Sequence, residues 1–352
     1  MAITRLNTNE FLAMAAQHPV LDVRSPGEYT HAHIPGAYSF PLFNDEERKE
    51  IGTAYKQQSQ QIAIKIGLRY FGGRMVEMVE TAEKILATHP GADPKSKTIL
   101  VHCWRGGMRS AGVAWLLDLY GFKVYTLVGG YKAYRNYVIN ILSQDYPIRI
   151  IGGYTGSAKT ELLHTLQQKG EQIIDLEALA AHKGSAFGNL GMPAQPSQEM
   201  FDNLLAEAVL KLDTNRTIWL EDESQRIGHV NIDFRFYRMM RTKPVLFLDI
   251  PFEARLQHII KGYGQFEKEK LLTTIVRIKK RLGGLETKNA VNFLLEDDVP
   301  NCFRILLKYY DKFYEKSTFN PEEKRQIQKI AVETTDSELN ATIVLTTPPS
   351  LP

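Results

Sequence analysis

The sequence has little cysteine, no long hydrophobic run and almost no net charge, and each absence excludes a class of protein. Cys103 and Cys302 are the only cysteines in 352 residues, too few for a disulfide-stabilised secreted domain and suited to a reducing cytoplasm. No stretch approaches the ~18 consecutive apolar residues of a membrane span, and the N-terminus lacks a signal peptide's apolar core. The net charge of +3 does not require a polyanionic partner, so any nucleic-acid site must come from a local cluster of basic residues. We therefore expect a cytoplasmic protein that does not act on membranes.

The order of predicted elements defines the fold class. Apolar runs typical of buried strands alternate with helical segments along the whole chain, which predicts α/β architecture with parallel sheets. The length allows two domains, and Asp145-Tyr-Pro147 is a breaker between a predicted helix and the next strand. We therefore predict an α/β domain at residues 1–145 and a P-loop NTPase-like α/β domain at residues 146–352.

A glycine-rich turn at residues 153–160 is the clearest chemical feature of the second domain. It follows a predicted strand and precedes a predicted helix, so its backbone N–H groups and the helix dipole favour a phosphate. Ala158 stands where a second glycine is usual, and its methyl group restricts φ, so the pocket need not be a generic ATP site. An ordinary strand–turn–helix is the structural alternative. The predicted diphosphate-binding residues are Gly153, Gly156, Ser157, Ala158, Lys159 and Thr160.

Acidic residues follow a predicted strand at residues 217–220. Carboxylates at a strand tip beside a phosphate loop can hold Mg²⁺, and the hydroxyl of Thr160 is a further ligand. Solvated strand-end charge is the alternative for any one of Glu221, Asp222 and Glu223. We predict Thr160 and Asp222 as Mg²⁺ ligands and no organic prosthetic group.

Cys103 occupies a similar turn in the first domain. It follows the predicted strand 97–101 and precedes a helix, so backbone N–H groups, the helix dipole and nearby arginines favour its thiolate form. The same turn suits a tetrahedral oxyanion. A small buried cysteine with two surface arginines is the structural alternative. We predict a catalytic Cys103 with an oxyanion site made of Arg105, Gly106, Gly107 and Arg109.

The most basic segment covers residues 268–282. Its apolar residues keep one face of a single predicted helix, while the other face is basic and could lie along an RNA backbone. A solvated charged face is the alternative, and no recognised RNA-binding motif accompanies the segment. The predicted RNA-binding residues are Arg277, Lys279, Lys280 and Arg281. Further on, residues 341–345 are expected to form the last strand.

The first domain resembles the rhodanese superfamily. The resemblance rests on Asp22-Val-Arg24, Glu28-Tyr29, residues 33–37 and the Cys103 loop. It implies a rhodanese-like domain whose cysteine carries sulfur as a persulfide or, in phosphatase and arsenate-reductase relatives, attacks an oxyanion. Five residues separate Cys103 from Arg109, as in the phosphatase-like relatives, whereas sulfurtransferases have four. This departure favours a larger, oxyanion-bearing donor.

The chain from about residue 5 to about residue 335 resembles the tRNA 2-selenouridine synthases. The resemblance rests on His-Cys-Trp-Arg-Gly-Gly-Met-Arg-Ser, Gly-Gly-Tyr-Thr-Gly-Ser, Gly-Ser-Ala-Phe-Gly, Gln-Pro-Ser-Gln and Glu-Asp-Glu-Ser. It implies conversion of wobble 2-thiouridine to 2-selenouridine in tRNA through an S-geranyl intermediate, with geranyl diphosphate and selenophosphate as co-substrates. The implied partners are tRNA and the selenophosphate-producing enzyme. Tyr154, Phe187 and Phe201 are candidates for a prenyl pocket, with core packing as the alternative for each.

Two other functions remain open from the residues alone. The five-residue cysteine loop favours a phosphatase or arsenate reductase with a nucleotide-binding regulatory domain. The acids at residues 221–223 favour a kinase-like or non-catalytic nucleotide-binding module with a degenerate rhodanese domain. Neither explains Gln195-Pro-Ser-Gln198. The sequence also leaves open whether Cys103 is covalently loaded with selenium or only helps to bind the donor.

Overall fold

The computed structural model describes residues 3–90, 96–318 and 325–348. The chain divides into two compact units, one of residues 1–141 with 202–204 and the other of residues 142–201 with 205–352. No helix among these described residues is long and apolar enough to cross a membrane.

The first unit contains a five-stranded parallel sheet. Its strands are β1 (Thr4–Leu6), β2 (Val20–Asp22), β3 (Tyr38–Ser39), β4 (Thr98–His102) and β5 (Lys123–Leu127), in the order β1-β5-β4-β2-β3. Its helices are α1 (Thr8–Ala15), α2 (Pro26–His31), α3 (Asp45–Gln57), α4 (Gln60–Gly72), α5 (Met75–Thr88), α6 (Met108–Tyr120) and α7 (Gly130–Ile141). Every residue of β4 is buried, as expected for a strand covered on both faces, so the loop after β4 starts from a rigid base.

The second unit contains another five-stranded parallel sheet and an antiparallel hairpin. Its strands are β6 (Ile148–Gly153), β7 (Gln172–Ile174), β8 (Ile218–Glu221), β9 (Arg226–Ile227), β10 (Val230–Asn231), β11 (Val245–Asp249) and β12 (Ile327–Ala331). The sheet order is β12-β11-β6-β8-β7, and β9 pairs with β10. Because β8 is hydrogen-bonded to β6, the acids that follow β8 lie next to the loop that follows β6.

Ten helices of the second unit lie among the described residues, and several form a separate helical core. They are α8 (Lys159–Gln168), α9 (Leu176–Ala180), α10 (Gln198–Leu210), α11 (Phe234–Arg241), α12 (Phe252–Tyr263), α13 (Lys268–Arg277), α14 (Lys279–Leu282), α15 (Gly284–Leu295), α16 (Val299–Thr318) and α17 (Ser337–Thr346). Apolar residues of α12 to α16, among them Leu256, Ile275, Leu294 and Phe303, pack into one cluster away from the sheet.

Two sequence expectations about the second unit were wrong. Residues 341–345 form part of helix α17 instead of the last strand, because Asp336 caps the helix and Ala341 and Val344 pack against α8. Strand β12 takes the sheet edge instead. The basic segment 268–282 is two helices, because Ile278 leaves helical geometry between α13 and α14.

Candidate active sites

The Cys103 loop is held rigidly between β4 and α6. Gly106 has φ +65°, and at Gly130, with φ +60°, a side chain would collide with the carbonyl of Cys103 and the amide of Gly106. This close approach lets the Tyr131 amide donate to the Cys103 carbonyl at 2.8 Å. The start of α7 therefore supports the loop from behind, and only glycine fits at position 130.

The thiol of Cys103 is buried but poised to ionise. Its Sγ lies 3.2 Å from Oγ of Ser110, and the side chain is 3% exposed. Burial raises the pKa of this thiol, but hydrogen bonds from Ser110 and the Arg105 amide, together with the charge of Arg109, lower it below the ordinary value overall. The pKa of Cys302 is instead raised to about 12 by burial, which agrees with its interpretation as a packing residue.

Arg109 is paired with a carboxylate at the loop. Its Nη1 donates to Oε2 of Glu28 at 2.7 Å, and Nε of Arg48 lies 3.6 Å from the same oxygen. Glu28 also accepts from the Ser25 amide at the start of α2. Burial raises the pKa of Glu28, but Arg109, Ser25 and Arg48 lower it below the ordinary value, so the carboxylate is ionised at neutral pH. An oxyanion in this loop would compete with Glu28 for Arg109, while Arg105 is exposed.

A buried ion pair explains the Asp22-Val-Arg24 motif. Nε of Arg24 donates to Asp22 at 2.9 Å, its Nη2 donates to the Ala32 carbonyl at 2.7 Å, and the guanidinium stacks 3.8 Å from the Tyr131 ring centroid. Both charged side chains are fully buried. The pair links the end of β2 to the segment after α2 and has a structural role beneath the cysteine loop.

The phosphate loop joins β6 to α8 with a strained backbone. Gly156 has φ +83°, and a Cβ there would lie 2.8 Å from Ile259 and 2.9 Å from the Arg255 carbonyl. Ala158 has φ 54° and ψ 37°, a left-handed conformation that costs about 1–2 kcal/mol for a residue with a Cβ. Lys159 begins α8, and its Nζ donates to the Gly153 carbonyl at 3.1 Å. The loop therefore keeps the left-handed turn of a phosphate site despite Ala158.

Arg255 anchors the phosphate loop from the helical core, a role that no sequence motif indicated. Its Nη1 donates to the Thr155 carbonyl at 3.0 Å, and the guanidinium binds Asp311 through both nitrogens at 2.9 and 2.8 Å. Its Nε donates to the Ile250 carbonyl at 3.1 Å. Because these groups belong to α12, α16 and the loop itself, one buried side chain fixes three elements together.

Three carboxylates meet beside the phosphate loop. Glu177, Glu221 and Glu223 each bring an oxygen within 4.8 Å of the others, and Thr160 donates to Glu177 at 3.2 Å. Glu221 is fully buried, and neither of its carboxylate oxygens has a hydrogen-bond partner among the described residues. Burial and the neighbouring carboxylates raise the pKa of each to about 8 against the lowering effect of Lys159. Unpaired carboxylate oxygens so close together fit a hard divalent cation such as Mg²⁺.

The structure groups Thr160 with this cluster but not Asp222. Both carboxylate oxygens of Asp222 bind Arg325, at 2.6 and 3.0 Å, and Oδ2 accepts from Tyr314 at 3.1 Å. Successive residues of an extended segment point to opposite sides, so Glu221 and Glu223 share a side that Asp222 does not. The predicted ligand Asp222 therefore lies outside the cluster, and Glu221 and Glu223, the other two acids of the same segment, lie in it.

One cleft of about 1610 Å³ connects these groups within the second unit. Its polar end contains the phosphate loop and the three carboxylates. Its other wall is apolar and aromatic and includes Phe187, Ile259, Tyr263, Phe303, Leu306 and Tyr310. Of the predicted prenyl-pocket candidates, Phe187 lines the cleft, whereas Phe201 is fully buried in the core. Tyr154 packs edge-on against Phe247 at 5.1 Å.

The predicted RNA-binding residues are all exposed at the end of α13 and in α14. Arg277, Lys280 and Arg281 line the same cleft, and Arg277 donates to the Ala186 carbonyl. Of the apolar residues predicted to share one helical face, those at 271, 275, 278 and 282 are buried and Leu272 is half-buried.

Comparison with known proteins assigns both units. Residues 146–342 match the family described as the tRNA 2-selenouridine synthase AAA domain, and residues 7–137 match the rhodanese-like domain. The chain belongs to the tRNA 2-selenouridine synthase family. This confirms the predicted fold class, a rhodanese-like domain followed by a P-loop α/β domain.

Curated relatives extend over most of the chain. It is 35% identical to the tRNA 2-selenouridine synthase of Shewanella sediminis over 337 residues, covering 86% of this chain and 88% of the relative. The corresponding protein of Shewanella piezotolerans is 33% identical, with 90% and 93% covered. That of Nitrosomonas europaea is 37% identical over 256 residues, and the alignment spans 70% of this chain and 64% of the relative's length.

Proposed function

We propose that this protein converts 2-thiouridine at the wobble position of tRNA to 2-selenouridine through an S-geranyl intermediate. The proposal is supported chiefly by the cleft of the second unit, where a phosphate loop and a carboxylate cluster face an aromatic and apolar wall. Phe187, Ile259 and Phe303 belong to the apolar cluster of the helical core, so the cleft offers apolar side chains close to its phosphate loop. An isoprenoid diphosphate has a charged group that suits the phosphate loop and an apolar chain that suits the apolar wall.

Geranyl diphosphate would bind with its diphosphate at the phosphate loop. Lys159 and the first backbone N–H groups of α8 would stabilise the negative charge that develops on the departing oxygen. Thr160, Glu177, Glu221 and Glu223 would hold Mg²⁺, which when bound supplies further charge neutralisation there. The geranyl chain would lie against the wall formed by Phe187, Ile259 and their neighbours.

The first step alkylates the nucleoside. The sulfur at C2 of thiouridine forms a bond to C1 of the geranyl group while the C1–O bond breaks, and diphosphate leaves with that electron pair. The N3 proton of the base is lost, so the ring becomes a neutral S-alkyl derivative. Its C2 is more electrophilic than that of thiouridine, and geranylthiolate is a better leaving group than sulfide.

The second step exchanges sulfur for selenium at the Cys103 loop. Selenophosphate is a tetrahedral oxyanion that matches the loop amides and the arginines near Cys103. Its selenium would bond to C2 while the C2–S bond breaks. The Cys103 thiolate would take a proton from the water that accepts the phosphoryl group and pass it to the departing geranylthiolate, which leaves as geranylthiol. Binding of the donor would require Arg109 to be shared with Glu28.

Nucleoside mass spectrometry tests this proposal. An anticodon stem-loop RNA with wobble 2-thiouridine is incubated with the protein and geranyl diphosphate, and then with selenophosphate. We expect a gain of one geranyl group, then replacement of geranylthiol by selenium. An unchanged nucleoside after both additions, from folded protein, would contradict the proposal. Turnover of phosphate esters or arsenate in that case would favour the phosphatase or arsenate-reductase alternative suggested by the five-residue loop.

A further inference from the structure

The Gln195-Pro-Ser-Gln198 motif holds the β9–β10 hairpin through its backbone. Gln195 donates to the carbonyls of Ala180, at 2.8 Å, and Ile227, at 3.1 Å, and accepts from the His229 amide at 3.0 Å. Gln198 makes two hydrogen bonds with the backbone of Asn231, both 2.7 Å long. These two side chains therefore satisfy backbone hydrogen-bonding groups of the hairpin, as a neighbouring strand would, and fix its position.

The turn of the hairpin accepts only glycine at position 228. Gly228 has φ +63°, and a Cβ there would collide with the Gln195 side chain. Ile227, Val230 and Ile232 are fully buried, so the alternate residues Arg226 and His229 project outward. Both of these outward residues line the cleft that contains the phosphate loop.

Helix α11 follows the hairpin, and its Tyr237 and Arg241 line the same cleft as Arg226 and His229. Phe236 and Met240 bury one side of the helix, while Phe234 is 59% exposed and Arg238 is exposed with its guanidinium 5.6 Å from the Phe234 ring centroid. Residues 225–243 contain five lysine and arginine residues and one acid. Three of the five form ion pairs, Arg235 with Asp233, Arg241 with Asp222 and Lys243 with Asp145, so the charge offered to a ligand comes chiefly from Arg226 and Arg238. We define the arginine–aromatic face as Arg226, His229, Phe234, Arg235 and Arg238.

We propose that the arginine–aromatic face is the docking site for the single-stranded loop of the RNA substrate, with Gln195 and Gln198 as its positioning residues. This inference rests on the proposed function and adds a site distinct from α13 and α14. Arginines neutralise backbone phosphates, and an exposed phenylalanine offers a surface on which a base stacks. Such an RNA loop would reach the cleft of the phosphate loop at Arg226 and His229, which line that cleft, while Phe234 and Arg238 lie on the part of α11 outside it. An acidic peptide would match the arginines but not the exposed ring.

Binding of the 2-thiouridine stem-loop, measured by fluorescence anisotropy at several salt concentrations, tests the inference. For Arg238→Ala we expect weaker binding and a salt slope smaller by about one, since one phosphate contact is lost. For Phe234→Ala we expect a loss of about five-fold or more with the slope unchanged, because stacking involves no counterion release. Leu339→Ala, at 58% exposure, and the exposed Lys308→Ala are the matched controls in the same unit and should bind like wild type.

The positioning role of Gln198 is tested separately, through steady-state kinetics. Gln198→Ala should raise the KM for RNA while leaving the KM for geranyl diphosphate unchanged, which a general loss of stability would not do. Wild-type affinity in both Arg238→Ala and Phe234→Ala would overturn the inference, even if the wild-type protein modifies the RNA and the proposed function stands. Binding of an acidic peptide is measured in the same assay. If Arg238→Ala loses binding of this peptide but keeps binding of the RNA, the face belongs to a protein partner and the inference is overturned. Failure of the wild-type protein to modify the RNA would instead contradict the proposed function.

Discussion

Replacing Arg255 by lysine should loosen the phosphate loop, and a neighbouring ion pair offers a matched control. Arg255 on α12 pairs with Asp311 on α16 and is 4% exposed, whereas Arg304 on α16 pairs with Glu253 on α12 and is 36% exposed. Both pairs join the same two helices. Only Arg255 also bonds to the Thr155 carbonyl in the phosphate loop.

The expected magnitude follows from the contacts that lysine cannot make. Arg255 donates four hydrogen bonds, and a lysine that keeps the Asp311 contact loses at least two of them, at about 1–1.5 kcal/mol each. A loss of about 2–3 kcal/mol lowers the Tm of a domain of this size by about 4–12 °C. Arg304→Lys should leave the Tm close to that of the wild type, because exposed ion pairs contribute little to stability.

Calorimetric unfolding of both variants, with and without geranyl diphosphate, measures this difference. We expect Arg255→Lys to have the lower Tm and a smaller stabilisation by the ligand, since the loop proposed to bind the diphosphate has lost its anchor. Arg304→Lys should keep the full ligand-induced shift. Equal Tm values and equal ligand shifts in the two variants would refute the reasoning that Arg255 fixes the phosphate loop.

Three further substitutions separate the roles of individual side chains. Ser110→Ala removes a hydrogen bond that lowers the pKa of Cys103, so the pH midpoint of Cys103 alkylation, followed by peptide mass spectrometry, should move upward; an unchanged midpoint would exclude Ser110 from this role. The pKa of Glu221 rises from 4.5 to about 8 on folding, so the folded state binds more protons between these values and the free energy of unfolding should fall as pH rises from 5 to 8. Glu221→Gln should flatten this dependence in urea titrations, and an equally steep dependence would contradict the assignment. Asp222→Asn should lower stability by about 3 kcal/mol by breaking the buried pair with Arg325 while leaving Mn²⁺ affinity near wild type, and a large loss of metal affinity would return Asp222 to the metal site.

The two loops could be predicted because each is contiguous in sequence. In both, a buried strand, a glycine-rich turn and a helix follow one another within about 20 residues, so local rules suffice. Residues 341–345 show where local rules fail, since their β-branched pattern favours a strand and packing against α8 makes them helical.

The carboxylate cluster and the Arg255 anchor could not be predicted in the same way. Glu177 and Glu221 meet because β7 pairs with β8, and Arg255 meets Asp311 because α12 packs on α16, contacts between residues more than 40 positions apart. The sequence showed the Gln195-Pro-Ser-Gln198 motif but not its role, because its side chains bind a hairpin about 30 residues later in the chain. Long-range pairing of this kind leaves no local signal in the sequence.

Whether the two units perform successive steps is tested most directly with two RNAs, one for each step. Lys159→Ala and Cys103→Ser are each incubated with both co-substrates and a stem-loop RNA that carries either 2-thiouridine or chemically prepared S-geranyl-2-thiouridine. The nucleosides are then identified by mass spectrometry. We predict that Lys159→Ala leaves 2-thiouridine unchanged yet converts the geranylated RNA to 2-selenouridine, while Cys103→Ser geranylates 2-thiouridine and stops there. Normal geranylation by Lys159→Ala, or normal selenium incorporation by Cys103→Ser, would contradict it.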